Sequence, residues 1–207
     1  THTLLSVEQA AKIVRQEGLP EEEALLVMAA ELAHDLGKPT TTKLDESGRT
    51  RSFSHEEAGV PLTKSLLGRM QLPHKLTCAA ASLVAEHMWI LNMYRQVELG
   101  QNVTEKAIRR LAQRLKEPAN IRLLSYVCQA DADGRGPSSE PYQGPAWMRR
   151  QAELLAVLEQ EPKDLIRGQQ LIELGLQPGP EFHSIIDLAN QLRDDRGLVA
   201  AFGAEAR

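Results

Sequence analysis

Two adjacent residues, His34 and Asp35, stand where a long apolar run gives way to Leu36-Gly37-Lys38. An imidazole and a carboxylate side by side at a helix terminus can both lean onto one ion in a neighbouring cleft, and the pair suits a borderline first-row divalent metal. Alone the dipeptide is a weak signal, because a helix-end histidine beside a surface aspartate is ordinary. Its company gives it weight. His2 precedes the first predicted helix, His55 opens the third, His87 follows Val84-Ala85-Glu86 on the fourth, and Asp131 follows Cys128-Gln129-Ala130 near the end of another. Four of the six histidines therefore fall where helices can converge on the His34-Asp35 pair, and His74 and His183 stay outside.

Such a set could hold a divalent metal ion, and hydrolysis at phosphorus is one chemistry that such an ion supports. A bound divalent ion polarises a phosphoryl oxygen and lowers the pKa of water toward neutrality, so no Ser or Cys nucleophile is required. Neutral imidazoles and ionised carboxylates are the ligand forms, so activity is expected to fall in acid. Lys38 either adds a positive charge for the phosphate or serves as a cation at a helix C-terminus. Glu56 and Glu57 can orient a water, although acids at a helix start are common for dipole reasons alone. Trp89 either stacks on a base or is a partly buried packing residue.

The elements that must position these residues read as helices. Ser6 with Gln9 resembles a capping box, and Val7, Ala10, Ala11 and Val14 recur at helical spacing, which predicts a helix over about 6–17 ended by Gly18. Pro20 and Glu21-Glu22-Glu23 start a second that runs to His34-Asp35. Residues 39–53 lack helical periodicity and hold a turn signal at Asp45–Gly48, so a loop with a short hairpin is expected. Ser54-His55-Glu56-Glu57 reads as another capping box opening a helix to about Met70, and Leu72-Pro73 marks the next. Further helices are predicted at about 104–116, 119–131, 145–160, 163–174 and 181–195, with a boundary in the turn-rich stretch 133–139.

Composition agrees with an all-α chain. Aromatics make up 4% of 207 residues while Leu, Ala, Glu and Gln abound, which favours packed helices over a sandwich of sheets. Cys78 and Cys128 are far apart in apolar helical stretches and read as small core residues, with no disulfide framework or zinc ribbon implied. No apolar run approaches a membrane span and no signal segment opens the chain, so a cytoplasmic protein is expected. The net charge of −4 argues against indiscriminate nucleic-acid binding; Arg109, Arg110, Arg114, Lys116 and Arg122 form either a local basic patch or a solvated helix face.

The ordered set His, His-Asp, His, His, Asp resembles the HD superfamily of metal-dependent phosphohydrolases. Within it the chain is most similar to the HD domain attached to bacterial transfer-RNA nucleotidyltransferases of the multifunctional CCA-adding type. The resembling segments are His2-Thr3-Leu4-Leu5, Ala33 to Thr41, Ser54 to Gly59, Glu86-His87 and Ala130 to Arg135. The likeness continues through Arg167-Gly168, Leu171-Ile172 and Gly175 to Glu181, although His183 stands where a small residue is expected after Pro-Gly-Pro. No strand-rich Gly-Ser motif with paired aspartates occurs, so nucleotide addition is not assigned to these residues. The opening Thr1 rather than Met fits either a fragment of a longer protein or a lost disordered start.

The resemblance implies an HD-domain helical bundle over 1–135 and a helical tail over 136–207. It implies that His2, His34, Asp35 and Asp131 hold a first metal ion, with Asp133 as the fallback for Asp131. Asp35 would bridge to a second ion on His55 and His87, or those two histidines would hold the substrate phosphate together with Lys38. Manganese, nickel, cobalt or magnesium would serve, one or two per site. The implied activities are 2′,3′-cyclic phosphodiesterase, 2′-nucleotidase and phosphatase on nucleotides or RNA ends, with transfer RNA as a further partner. The rival reading is a transfer-RNA-binding body and tail with a secondary metal site. Hydrolysis of guanosine tetraphosphate or deoxynucleotides is a third, and the tail resemblance speaks against it.

Overall fold

The computed structural model describes residues 2–136 and 141–196, so Pro137, Ser138 and Ser139 of the expected boundary lie outside the described residues. Ten helices and one two-stranded ribbon are described: α1 His2–Glu17, α2 Glu21–Ala33, α3 Lys38–Thr41, β1 Thr42–Leu44, β2 Thr50–Ser52, α4 His55–Arg69, α5 His74–Glu98, α6 Glu105–Arg114, α7 Ile121–Asp133, α8 Gly144–Leu154, α9 Gly168–Glu173 and α10 Glu181–Arg196. The described residues are all-α apart from that ribbon.

Helix α2 is apolar on almost every face, as a central helix must be. Leu26, Val27, Ala30 and Ala33 are fully buried as it packs against α1, α4, α5 and α7. The 25-residue α5 lies across it and contributes Leu83 and Ile90, while α7 adds Ile121, Leu123, Leu124 and Val127. Each of these larger side chains contributes about 2 kcal/mol by leaving water. Helix α8, on the tail side of residue 135, buries Met148 and Ala152 in this same core, and Val157 beyond it does likewise. The last two helices are held differently. Lys106 and Arg109 of α6 pair with Asp195 and Asp194 of α10, and the Arg193 guanidinium donates to Lys163 O at 2.6 Å.

Two predicted caps are corrected. Ser6 is a fully buried residue inside α1, its hydroxyl donating to Thr3 O, because the helix begins at His2, one turn earlier than the cap signature suggests. Ser54 caps nothing with its side chain: it takes φ +57°, a left-handed turn, whereas a capping residue needs extended backbone. The hairpin forms as expected, with Thr42 opposite Ser52 and Leu44 opposite Thr50. Asp45 fastens its turn by accepting from the Ser47 and Arg49 amides and from Arg51 Nε. The expected helix over 145–160 ends at Leu154, and that over 163–174 is reduced to α9.

Candidate metal centre

His2, His34, Asp35, His55, His87 and Asp131 come from five separate stretches of chain, and the fold brings all six together. His2 is the first residue of α1, His34 and Asp35 follow the last residue of α2, His55 opens α4, His87 lies midway along α5, and Asp131 is in the last turn of α7. Two glycines permit the approach. A Cβ on Gly37 would meet His55 O at 2.0 Å, and one on Gly134 would meet Ser6 Cα at 2.6 Å. Gly37 thus lets the turn after Asp35 touch α4, and Gly134 lets the end of α7 touch α1, so neither position accepts a side chain without backbone movement.

Asp35 stands between two groups. On one side its Oδ2 lies 3.3 Å from His34 Nε2 and 3.9 Å from His2 Nε2. On the other its Oδ1 lies 3.5 Å from His55 Nε2, which in turn is 3.2 Å from His87 Nε2. The ligand atoms of His2, His34 and Asp35 all lie within 4.8 Å of one another, and so do those of Asp35, His55 and His87. Asp131 adds a carboxylate oxygen 2.9 Å from His2 Nε2 and 3.6 Å from His34 Nε2. Asp133, two residues on, is exposed and accepts from Gln129, so Asp131 is the one that reaches the histidines.

A feature that sequence alone did not reveal ties the imidazoles together. His34, His55 and His87 each donate Nδ1–H to the backbone carbonyl three residues earlier: Glu31 at 2.7 Å, Ser52 at 2.8 Å and Val84 at 2.6 Å. His2 Nδ1 lies 3.3 Å from Gly134 O. With Nδ1 so engaged, each ring turns Nε2 inward, and on a neutral ring that nitrogen carries the lone pair, the arrangement in which a backbone carbonyl fixes the tautomer and orientation of a metal-ligating histidine. His34 Nε2 is buried without a hydrogen-bond partner. The lone pairs of His55 and His87 face each other at 3.2 Å, which is repulsive unless an electrophile lies between or beside them. An orphaned ring nitrogen and two opposed lone pairs beside ionised carboxylates are the donor set a divalent cation satisfies.

The electrostatics differ across Asp35. Burial opposes charge on His34, but the Asp35 carboxylate beside it and the charge of Glu31 push its pKa up to about 9. Burial also tends to raise Asp35, yet His34 and Lys38 together hold its carboxyl well below the usual range. His87 is drawn down to about 4, chiefly by burial, and is neutral. Burial tends to raise Asp131 too, but it is lowered overall, first by Arg135 and then by His34. Lys38 Nζ sits 2.6 Å from Asp35 Oδ2, so it neutralises that carboxylate.

Two supporting residues escaped the sequence reading. Glu31 is fully buried behind His34, both carboxyl oxygens lack hydrogen-bond partners, and burial pushes its pKa up to about 7. The signal for it was a lone acid in an apolar helix three residues before a candidate ligand. Arg135 pairs with Asp131 Oδ2 one helical turn on, leaving Oδ1 toward the histidines. Of the weaker candidates, Glu56 lies 3.2 Å from His55 Nδ1, on the ring's outer edge, and Glu57 is exposed. Trp89 packs under the Arg114 guanidinium at 4.6 Å, and Arg114 bonds Glu86. Arg109 and Arg122 are likewise paired with acids, so the suspected basic patch is largely neutralised. His74 and His183 remain outside, with His183 paired to Asp187. Cys128 is buried, its thiol bonding His87 O, and no disulfide occurs among the described residues.

Ligand groups distributed in this way over a helical bundle are accompanied by a family match. The HD domain model matches residues 1–135, and the chain belongs to that family. It is also similar to longer proteins. It is 34% identical over 167 residues to the A-adding tRNA nucleotidyltransferase of Deinococcus radiodurans, covering 78% of this chain and 36% of that one. It is 28% identical over 178 residues to the Multifunctional CCA protein of Acinetobacter baumannii, covering 85% and 40%, and 32% identical over 142 residues to that of Burkholderia cenocepacia, covering 68% and 31%. The chain thus spans no more than about two fifths of the curated relatives it matches. No helix of the described residues is long and apolar enough to cross a membrane.

Proposed function

We propose that the chain is a metal-dependent phosphohydrolase acting on nucleotides or RNA ends, of the 2′,3′-cyclic phosphodiesterase, 2′-nucleotidase or phosphatase type. The observation that carries the reading is the common orientation of the imidazoles, each with Nδ1 at a backbone carbonyl and Nε2 turned toward Asp35 or its neighbours. His2, His34, Asp35 and Asp131 hold a first ion. His55 and His87 hold either a second ion with Asp35 or the substrate phosphate. A bound ion supplies polarisation of the phosphoryl oxygen and an activated water. Lys38, paired with Asp35, would supply positive charge for the phosphate, and Arg135 keeps Asp131 in orientation. Metal analysis of protein purified without chelator, followed by a screen of cyclic and linear nucleotides, tests the reading. A stoichiometric transition ion with metal-dependent hydrolysis of 2′,3′-cyclic nucleotides is expected; protein that takes up no manganese, nickel, cobalt or magnesium and cleaves none of them overturns it.

The similarity to two kinds of tRNA nucleotidyltransferase favours a second reading, a transfer-RNA-binding body and tail with a secondary metal site. The proposed division into a bundle and a tail gives its test. Because α8 lies in the core, a cut near Gln143 is expected to unfold the chain, whereas a cut after Glu161 spares the core. Loss of transfer-RNA affinity with unchanged nucleotide hydrolysis in the longer truncation would assign the tail to RNA. Unchanged affinity would leave the tail no such part.

A further inference from the structure

A cavity of about 750 Å³ opens on the metal centre and is lined by two of its six residues, His87 and Asp131. His87 belongs to the group on one side of Asp35 and Asp131 to the group on the other, so the cavity borders both. Helical period builds its walls. Leu91 follows His87 by one turn of α5, and Arg135 follows Asp131 by one turn at the end of α7, so each ligand shares a face with its neighbour. Met88 and Ala132 extend the same walls, and they meet where the Cys128 thiol donates to His87 O at 3.0 Å. Burial falls off along the cavity. His87, Cys128 and Asp131 are buried, Met88, Leu91 and Tyr142 half-buried, and Asp133, Arg135 and Pro141 exposed. A ligand that enters from the exposed end therefore meets the metal centre end-on.

Tyr142 is the one aromatic ring on this cavity besides His87, and it comes from beyond residue 135. Its ring meets that of Tyr94 edge-on at 5.9 Å between centroids. Tyr94 lies two turns after His87 on the same face of α5, about 10 Å along the axis. On another side the ring rests on Gly144, where a Cβ would come 2.2 Å from the Tyr142 hydroxyl and 2.3 Å from its Cζ. The hydroxyl is buried there with no hydrogen-bond partner, so what Tyr142 offers the cavity is its ring. A metal-binding end and, about 10 Å along, an aromatic ring with the aliphatic Met88 and Leu91 between them suit a nucleoside carrying phosphate. The volume is within the range of small-molecule pockets. We infer that this cavity seats the nucleoside whose phosphate lies at the metal centre, with Tyr142 as the platform for its base. This rests on the phosphohydrolase reading above, names the part of the substrate that is recognised, and makes a residue beyond 135 determine specificity.

The test compares two substrates that share a reactive ring, adenosine 2′,3′-cyclic monophosphate and glycerol 1,2-cyclic phosphate, which lacks a base. On the metal-loaded full chain, Tyr142→Ala is expected to raise KM for the nucleotide on the order of tenfold, the scale of a lost base–aromatic stack. The kcat for the nucleotide and the kinetics of the glycerol ester should stay unchanged. Tyr142→Phe should keep the low KM, because the hydroxyl faces Gly144 rather than the cavity. Leu91→Trp fills the middle of the cavity without replacing a ligand, and should raise the nucleotide KM at least as much while sparing the glycerol ester and the metal content. Should Tyr142→Ala fail to fold, Leu91→Trp decides alone. Equal changes for both substrates, a nucleotide KM unmoved by either substitution, or a phenylalanine variant as weak as alanine would overturn the inference. If the unaltered chain hydrolyses neither substrate, the phosphohydrolase reading falls. The cavity is then judged by calorimetric binding of adenosine 3′-monophosphate to the full chain, which must weaken about tenfold in Tyr142→Ala; no binding, or equal binding, would refute the inference.

Discussion

On one side of Asp35, His2, His34 and Asp131 sit among charges: Glu31 behind, Arg135 on the outer carboxylate oxygen and Lys38 at the mouth. On the other side, His55 and His87 face each other beside Asp35, with Glu56 on the outer edge of His55, and the more deeply buried of the two is held neutral. The same residue types thus form two different sockets. The first is occupied by a proton when no metal is there, because His34 holds one up to about pH 9. In the second, the buried His87 is neutral and turns a bare lone pair toward His55. What separates them is the surrounding charge, and each socket can be broken without the other.

The largest effect belongs to the shared group. Asp35→Ala is expected to remove metal from both sides and to lower hydrolysis on the order of a thousandfold, the scale of losing a principal electrostatic contact; metal content by mass spectrometry and turnover check it together. If metal and rate survive, the bridging role is lost and the two sockets are independent. Next come the histidines taken singly. His55→Ala or His87→Ala should cut turnover strongly while at least one equivalent of metal stays bound, since His2, His34, Asp35 and Asp131 remain; metal-free protein from either variant would reverse the division.

Glu31 sharpens the contrast. Glu31→Gln keeps the backbone carbonyl that holds His34 but removes the carboxylate 3.5 Å from its Nδ1, and should weaken the first ion by roughly tenfold while leaving the His55–His87 side unmoved. The pH dependence runs the same way. Below about 9 a metal must displace the His34 proton, so affinity at the first socket should rise about tenfold per pH unit between 6 and 8. His87, at about 4, has no proton to give over that range and adds no such slope. Calorimetric titrations at three pH values, on the chain and on His87→Ala, separate the slopes, and a flat first site would remove the charge distinction. The smallest effect is expected at Ser54. Ser54→Gly relieves a positive φ and should add up to about 1 kcal/mol of stability, read by thermal unfolding, with hydrolysis nearly unchanged.

Much of this was legible in the sequence because the chemistry rests on residue types that are scarce. Six histidines in 207 residues make the convergence of four conspicuous, and helical periodicity gave most of the helices. The supports were hidden because they depend on helix phase. Nothing in the letters says that the carbonyls of Glu31, Ser52 and Val84 each lie under the ring three residues on, since that follows from rotamers set by packing. Glu31 reads as an ordinary helical glutamate until α1 and α7 pack against α2. The caps at Ser6 and Ser54 misled for a related reason: the four-residue pattern is local, while backbone angles at both positions answer to contacts elsewhere, Gly134 against Ser6 and Gly37 against His55. The division near residue 135 follows composition, and composition does not register that Met148 and Val157 return to the core.

The bond between His2 and Asp131 spans 129 residues of chain. On a ribosome that separation is also a delay, roughly 6 to 26 seconds at ordinary rates of elongation. Throughout it the nascent protein displays histidines in incomplete sets, first His2 with His34 and Asp35, then His55, then His87. The last carboxylate arrives only with α7. A cation captured early would lack that carboxylate and its Arg135 brace.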